Sequence, residues 1–162
     1  MEVVFLDKFV GTYHTNPNKG RRWTLYLPMR VTVNGKVIVI PAGFWTDFAS
    51  IPKFLWPVIN PYELGLAPVL HDFIYFVGYE SQEFCDEAFL AGMVSEDIEP
   101  WKRNTAYRGV RIGGERTWDR YQKENAKYRL AAADEAASVQ RLEVVSWDRV
   151  RERHALQEQQ AA

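Results

Sequence analysis

The stretch Leu64-Gly65-Leu66-Ala67-Pro68-Val69-Leu70-His71-Asp72-Phe73-Ile74-Tyr75-Phe76-Val77-Gly78 decides how this chain must be assembled. Apolar residues fall on every side of the helix it spells: Leu64, Leu66, Ala67, Val69, Leu70, Phe73, Ile74, Phe76 and Val77. A surface helix carries one apolar stripe, whereas a helix apolar all round has to be surrounded by protein. The spacing therefore predicts a central buried helix. Gly78 fits its C-terminal stop, where a left-handed residue ends the turn.

Downstream, Ser81 is a good N-cap with Glu83 in the first turn of a second helix. Cys85, Ala88, Phe89 and Gly92 give that helix its buried face, with Met93 beside it. Pro100 suits the first turn of a third helix running to Gly113-Gly114, and a further helical stretch begins near Glu115. Upstream the period changes from helical to two. Trp23, Leu25, Leu27, Met29, Val31 and Val33 alternate with Thr24, Tyr26, Pro28, Arg30 and Thr32, as in a half-buried strand. Pro28 cannot donate to a ladder, which predicts an edge position for that strand. Asn34-Gly35 is a hairpin turn signal. The return strand Val37 to Ile40 is apolar throughout, as if covered on both faces. Val3 to Leu6 and Phe9 to Tyr13 can add strands, while Phe44 to Pro52 and Trp56 to Pro61 read as connections. The expected fold is α+β: an N-terminal antiparallel hairpin or small sheet packed on a helical bundle. Residues 1–129 form that domain. From Leu130 the composition turns to alanine, Gln and Glu, and residues 130–162 read as a helical C-terminal arm.

Hydrophobic residues make up 47% and charged residues 25% of 162 residues, the balance of an ordinary globular domain. The formal charge of −1, without a Lys/Arg run, argues against nucleic acid as partner. Lys102, Arg103, Arg108, Arg111, Arg116 and Arg120 read as a solvated basic face. Cys85 stands alone, so no internal disulfide forms. The start, MEVVFLDKFVG, lacks a basic segment and the apolar stretch of about 7–15 residues of a signal peptide. No apolar run reaches the roughly 18 residues that span a bilayer. The expectation is synthesis in a cytoplasm with no transmembrane segment.

His14 and His154 read as exposed residues, but His71 and Asp72 sit in the most apolar helix. A buried carboxylate requires a cation, a metal or hydrogen-bond donors, and an imidazole requires partners on both nitrogens. Tyr75 lies one turn from His71 on the same side. Two antiparallel helices joined at Gly78 would return Asp86 toward His71. That gives a candidate catalytic set in which Asp86 orients His71, His71 activates water and Tyr75 supports them. The alternative is a buried polar network that only fixes helix packing. Asp47 is a candidate metal ligand beside Asp72, and two hard oxygen donors suit Ca²⁺ or Mg²⁺ better than Zn²⁺. The alternative is that Asp47 and Ser50 cap local turns. Ser50 with His71 and an Asp also satisfies the residue set of a hydrolase triad, without a Gly-x-Ser-x-Gly elbow.

Pro41-Ala42-Gly43-Phe44-x-Thr46-Asp47-Phe48-Ala49-Ser50-Ile51-Pro52, Leu70-His71-Asp72-x-x-Tyr75, Ser81…Asp86-x-x-Phe89…Met93 and Tyr107…Val110-Arg111…Gly113 together resemble a family of unknown function found mainly in tailed phages and prophages. The likeness covers about Val37 to Trp118 and implies a phage source. His71-Asp72-x-x-Tyr75 with Asp86 and Phe89 is also similar to the helix pair of phospholipases of the A2 type. That likeness implies His71 as the base on water, Asp72 at Ca²⁺ and Asp86 orienting His71. The disulfides and the glycine-rich calcium loop of that family have no counterpart here, so Asp47 would substitute. The combined expectation is a virion- or tail-associated phage protein whose His-Asp site, with Ca²⁺ as cofactor, hydrolyses a lipid or cell-wall substrate of the host envelope. The arm would bind other virion or tail proteins. The alternative is a purely structural tail, virion or assembly component.

Overall fold

The computed structural model describes residues 1–16, 20–48 and 50–125. Six strands come first: β1 (Val3–Phe5), β2 (Gly11–Asn16), β3 (Gly20–Leu25), β4 (Met29–Val33), β5 (Lys36–Ile40) and β6 (Trp45–Thr46). Two 3₁₀ turns, Lys53–Leu55 and Pro61–Leu64, lead into the helices α1 (Ala67–Val77), α2 (Gln82–Ser95), α3 (Pro100–Gly113) and α4 (Glu115–Asn125). The α+β class follows directly. The segment expected to form the C-terminal arm lies outside the described residues.

The strands form two antiparallel sheets, ordered β1-β4-β5 and β2-β3-β6. The β4–β5 hairpin pairs Val33 with Lys36 around Asn34-Gly35, whose φ values are 48° and 75°. Both turn residues take the left-handed conformation that matches strand twist. The alternation from Trp23 to Val33 is not one strand. It breaks at Tyr26-Leu27-Pro28, where Tyr26 and Leu27 are 72% and 50% exposed, and the two halves enter different sheets. Each half is the central strand of its sheet, so the edge position read from Pro28 is corrected. The proline occupies the corner, where no ladder hydrogen bond is required of it. The expected loop after Gly43 likewise contains a strand, β6, whose Thr46 pairs with Trp23. On β5, Ile38 to Ile40 are buried as expected, but Val37 is exposed.

α1 starts at Ala67 rather than Leu64, because Gly65 (φ 66°) separates the preceding 3₁₀ turn from the helix. Glu96, just past α2, accepts a hydrogen bond from the Leu66 amide at 2.5 Å, at the head of α1. Gly78 closes α1 in the left-handed conformation, and the Ser81 hydroxyl accepts from the Phe84 amide at 3.1 Å to open α2. Nine of the eleven α1 residues are buried; Asp72 and Phe76 are partly exposed. The inner face of β4 and β5 packs on Val69, Leu70, Phe73, Ile74 and Val77 of α1 and on Cys85 and Ala88 of α2. A second core joins Phe89 and Met93 of α2 to Ala106 and Val110 of α3 and to Ile51, Ile59 and Leu64 of the connections. α1 and α2 approach closely at Gly92, where an added Cβ would lie 3.1 Å from that of Ala67. No helix among the described residues is long and apolar enough to cross a membrane.

Candidate functional site

One helical turn separates His71 from Tyr75, and the α1–α2 connection at Gly78 carries Asp86 back beside both. His71 Nε2 lies 3.0 Å from Asp86 Oδ1, and the Tyr75 hydroxyl donates to the same oxygen at 2.8 Å. Asp86 is 0% exposed and His71 4%. The imidazole lies between the rings of Tyr75 and Phe89, with centroids at 4.2 and 4.9 Å. From α3, Arg111 approaches the other Asp86 oxygen at 3.5 Å and Glu83 at 3.9 Å. Burial pushes the His71 pKa below its ordinary value, with Asp86 working against that shift. The ring is thus neutral near pH 7, and its Nε2 faces a carboxylate. That assigns the proton to Nε2, donating to Asp86, and leaves Nδ1 as the basic nitrogen. Burial, followed by the Asp86 charge, raises the Tyr75 hydroxyl, which therefore stays a donor.

Asp72 has a different set of partners. Thr46, held in β6, donates to Oδ2 at 2.5 Å, and Ser50 donates to Oδ1 at 3.0 Å. The Phe48 amide, which follows in a left-handed conformation (φ 57°), donates to Thr46 Oγ1 at 3.0 Å and so orients that hydroxyl. Burial, then the neighbouring Asp47 charge, pushes the Asp72 carboxyl up to about 7, against the pull of its two donors. Like charges sharing a site resist joint ionisation. Ser50, considered above as a nucleophile, directs its hydroxyl to Asp72.

A cavity of about 330 Å³ gathers these groups: His71, Asp72 and Tyr75 on one wall, Asp47 and Ser50 on another, and the α3–α4 junction opposite. Gly113 and Gly114 form that junction, with Thr117 and Tyr121 of α4 beyond it. A Cβ on Gly114 would fall 2.5 Å from the Tyr75 hydroxyl, so the residue has to be small. All five residues expected at the site, Asp47, Asp72, His71, Tyr75 and Asp86, thus meet around one cavity or directly behind its wall. Asp47 and Asp72 offer hard oxygen donors. Among the described residues, no group of three or more His, Cys, Asp or Glu side chains gathers to hold an ion. Carboxylate oxygens are the donor type that Ca²⁺ and Mg²⁺ take.

The basic face expected on α3 is in part committed to partners. Lys102 pairs with Glu63 at 2.9 Å, and Arg103 donates to the Ile98 carbonyl at 3.1 Å. Arg111 serves Asp86, a role the sequence reading missed; the signal available was that a buried Asp86 requires a cation. Tyr121 was also missed, because nothing in its own helix marks it as facing a cavity.

No curated protein and no solved structure matches the chain. Residues 23–110, from β3 into α3 and including His71, Asp72, Tyr75 and Asp86, match the family model described as "Protein of unknown function (DUF1353)", and the chain belongs to that family.

Proposed function

We propose that the cavity is a hydrolytic site, carried by a virion- or tail-associated phage protein and directed at a lipid or cell-wall bond of the host envelope. The observation that carries this reading is the buried His71–Asp86 contact at 3.0 Å, with the imidazole on the wall of a cavity that also holds two carboxylates. The phage setting rests on the motif likeness described above.

In this reading Asp86 fixes the ring through Nε2, and Nδ1 takes a proton from a water in the cavity. The water oxygen bonds to the electrophilic atom of the substrate as its bond to the leaving group breaks. Asp86 stabilises the imidazolium, which returns the proton to the leaving group. Tyr75 holds the Asp86 carboxylate in place. Asp72 and Asp47 would hold Ca²⁺, which when bound supplies positive charge against the charge developing on the substrate. Residues 130–162 would engage other virion or tail proteins.

The test combines binding and turnover. A hundredfold excess of Ca²⁺ over its Kd raises stability by about 2.7 kcal/mol if only the folded chain binds it. The thermal midpoint should rise with Ca²⁺ in the wild type and not in Asp72→Asn; no rise in the wild type removes the cation. Hydrolysis of phospholipid vesicles or isolated cell wall should vanish in His71→Ala; unchanged hydrolysis there removes the base. A structural tail or assembly role is the second reading, favoured by the way Asp86 ties α1, α2 and α3 together through His71, Tyr75 and Arg111. Deleting residues 130–162 should abolish assembly and spare hydrolysis if both readings hold. A wild type that hydrolyses neither substrate leaves the structural one.

A further inference from the structure

A second cavity, of about 460 Å³, lies on the far side of Asp47, Asp72 and Tyr121, which line both spaces. Its remaining lining sets Arg22 of β3 and Arg120 of α4 among aromatic rings. The Arg22 guanidinium stacks 4.0 Å above the Trp45 ring, which in turn stacks on Phe44. Stacking fixes the plane of the guanidinium and leaves its edge donors for a ligand. Arg22 Nε is buried with no hydrogen-bond partner among the described residues. A buried donor without an acceptor is costly, and the arginine that carries it lines this cavity. Arg120 lies 5.1 Å from the Tyr121 ring and brings a second guanidinium to the same space.

Two arginines with planar donor forks suit a phosphate group. The carboxylates on the shared wall suit hydroxyl donors, and the aromatic floor suits the carbon skeleton between them. We infer that the second cavity is a subsite for a polyol phosphate, its phosphate on Arg22 and Arg120 and its hydroxyls toward Asp47 and Asp72. This inference rests on the proposed hydrolytic reading only in making the ester part of that site's substrate; the binding itself does not require His71.

Glycerol 3-phosphate is the probe, titrated calorimetrically against the full chain, with glycerol and inorganic phosphate alongside. The expected result is saturable binding of the ester, tighter than that of either fragment, and weakened about tenfold or more in Arg22→Gln through loss of a charge-assisted contact. Arg120→Gln removes a charge at an exposed position and should weaken binding without disturbing the fold; it keeps the test usable should Arg22→Gln unfold. Arg22→Lys should restore less than the full affinity, because an ammonium cannot present the fork. No binding by the wild type, or wild-type affinity in both Gln variants, overturns the subsite. Competition by phosphatidylglycerol vesicles assigns the ester to lipid, and competition by poly(glycerol phosphate) assigns it to cell wall. Competition by neither, with the probe still bound, overturns the envelope assignment alone. Hydrolysis retained in His71→Ala with probe binding intact overturns the catalytic reading and leaves the subsite standing.

Discussion

Asp86 and Asp72 stand on neighbouring helices, and their surroundings differ in kind. Asp86 has no exposed surface and is met by an imidazole, a phenol and a guanidinium. Asp72 faces a cavity, receives two hydroxyls and shares its space with a second carboxylate; burial, then that charge, pushes it up to about 7. Both carboxylates are set into the protein interior; what differs is the charge of their nearest neighbours. One aspartate is met by donors from the two neighbouring helices and orients them. The other is built to exchange a proton or a cation near neutral pH.

The largest effect should come from breaking the Asp86 side of this contrast. Asp86→Ala strips His71, Tyr75 and Arg111 of their common acceptor and should lower unfolding free energy by about 3–5 kcal/mol, read by urea denaturation. A loss below about 1 kcal/mol would show that Asp86 is no clamp. Asp72→Asn should act in the opposite direction. The folded carboxyl titrates near 7 and the unfolded one near 3.8, so its stabilising contribution is complete below pH 3.8 and is lost as pH rises through 7. An amide cannot ionise. In a chelator at pH 8 the variant should exceed the wild type, by up to about 4 kcal/mol, with the gap closing toward pH 4. A gap that stays constant with pH would place the strain elsewhere.

Smaller still is Tyr75→Phe, which deletes one of the donors to Asp86 and should cost about 1–1.5 kcal/mol. It should leave the hydrolytic pH profile's lower limb, set by the depressed His71, below the ordinary histidine value of 6.5. Above 6.5 the buried neutral ring contributes its full stability, and that is lost as pH falls through its lowered pKa. A lower limb lying above 6.5 would show that another group supplies the base.

The Asp86 half of the contrast was legible because it depends on short-range geometry. One helical turn places Tyr75 beside His71, and a tight helical hairpin at Gly78 returns Asp86 to them 15 residues on. The Asp72 half depends on where β6 lands, and two residues of strand leave almost no periodic trace. Thr46 and Ser50 could be recognised as polar residues of a compact loop, but not as the donors that Asp72 requires. The corner at Tyr26-Leu27-Pro28 was hidden for a related reason: alternation continues unbroken through it while the chain changes sheets. Arg111 and Arg22 reach their places by packing between distant elements, which no local pattern encodes. The arm expected over residues 130–162 is a prediction of composition alone.

Glu96 bears on how many anions the protein will hold. The head of a helix carries about half a positive charge and unpaired amides, and it ordinarily collects phosphate from solution. At the head of α1 that position belongs to the chain itself, since the Glu96 carboxylate accepts from the Leu66 amide. The protein thus brings its own counter-ion to the helix that bears His71 and Asp72. A phosphate ester entering from solvent finds this competing sink already filled and is left to the arginines.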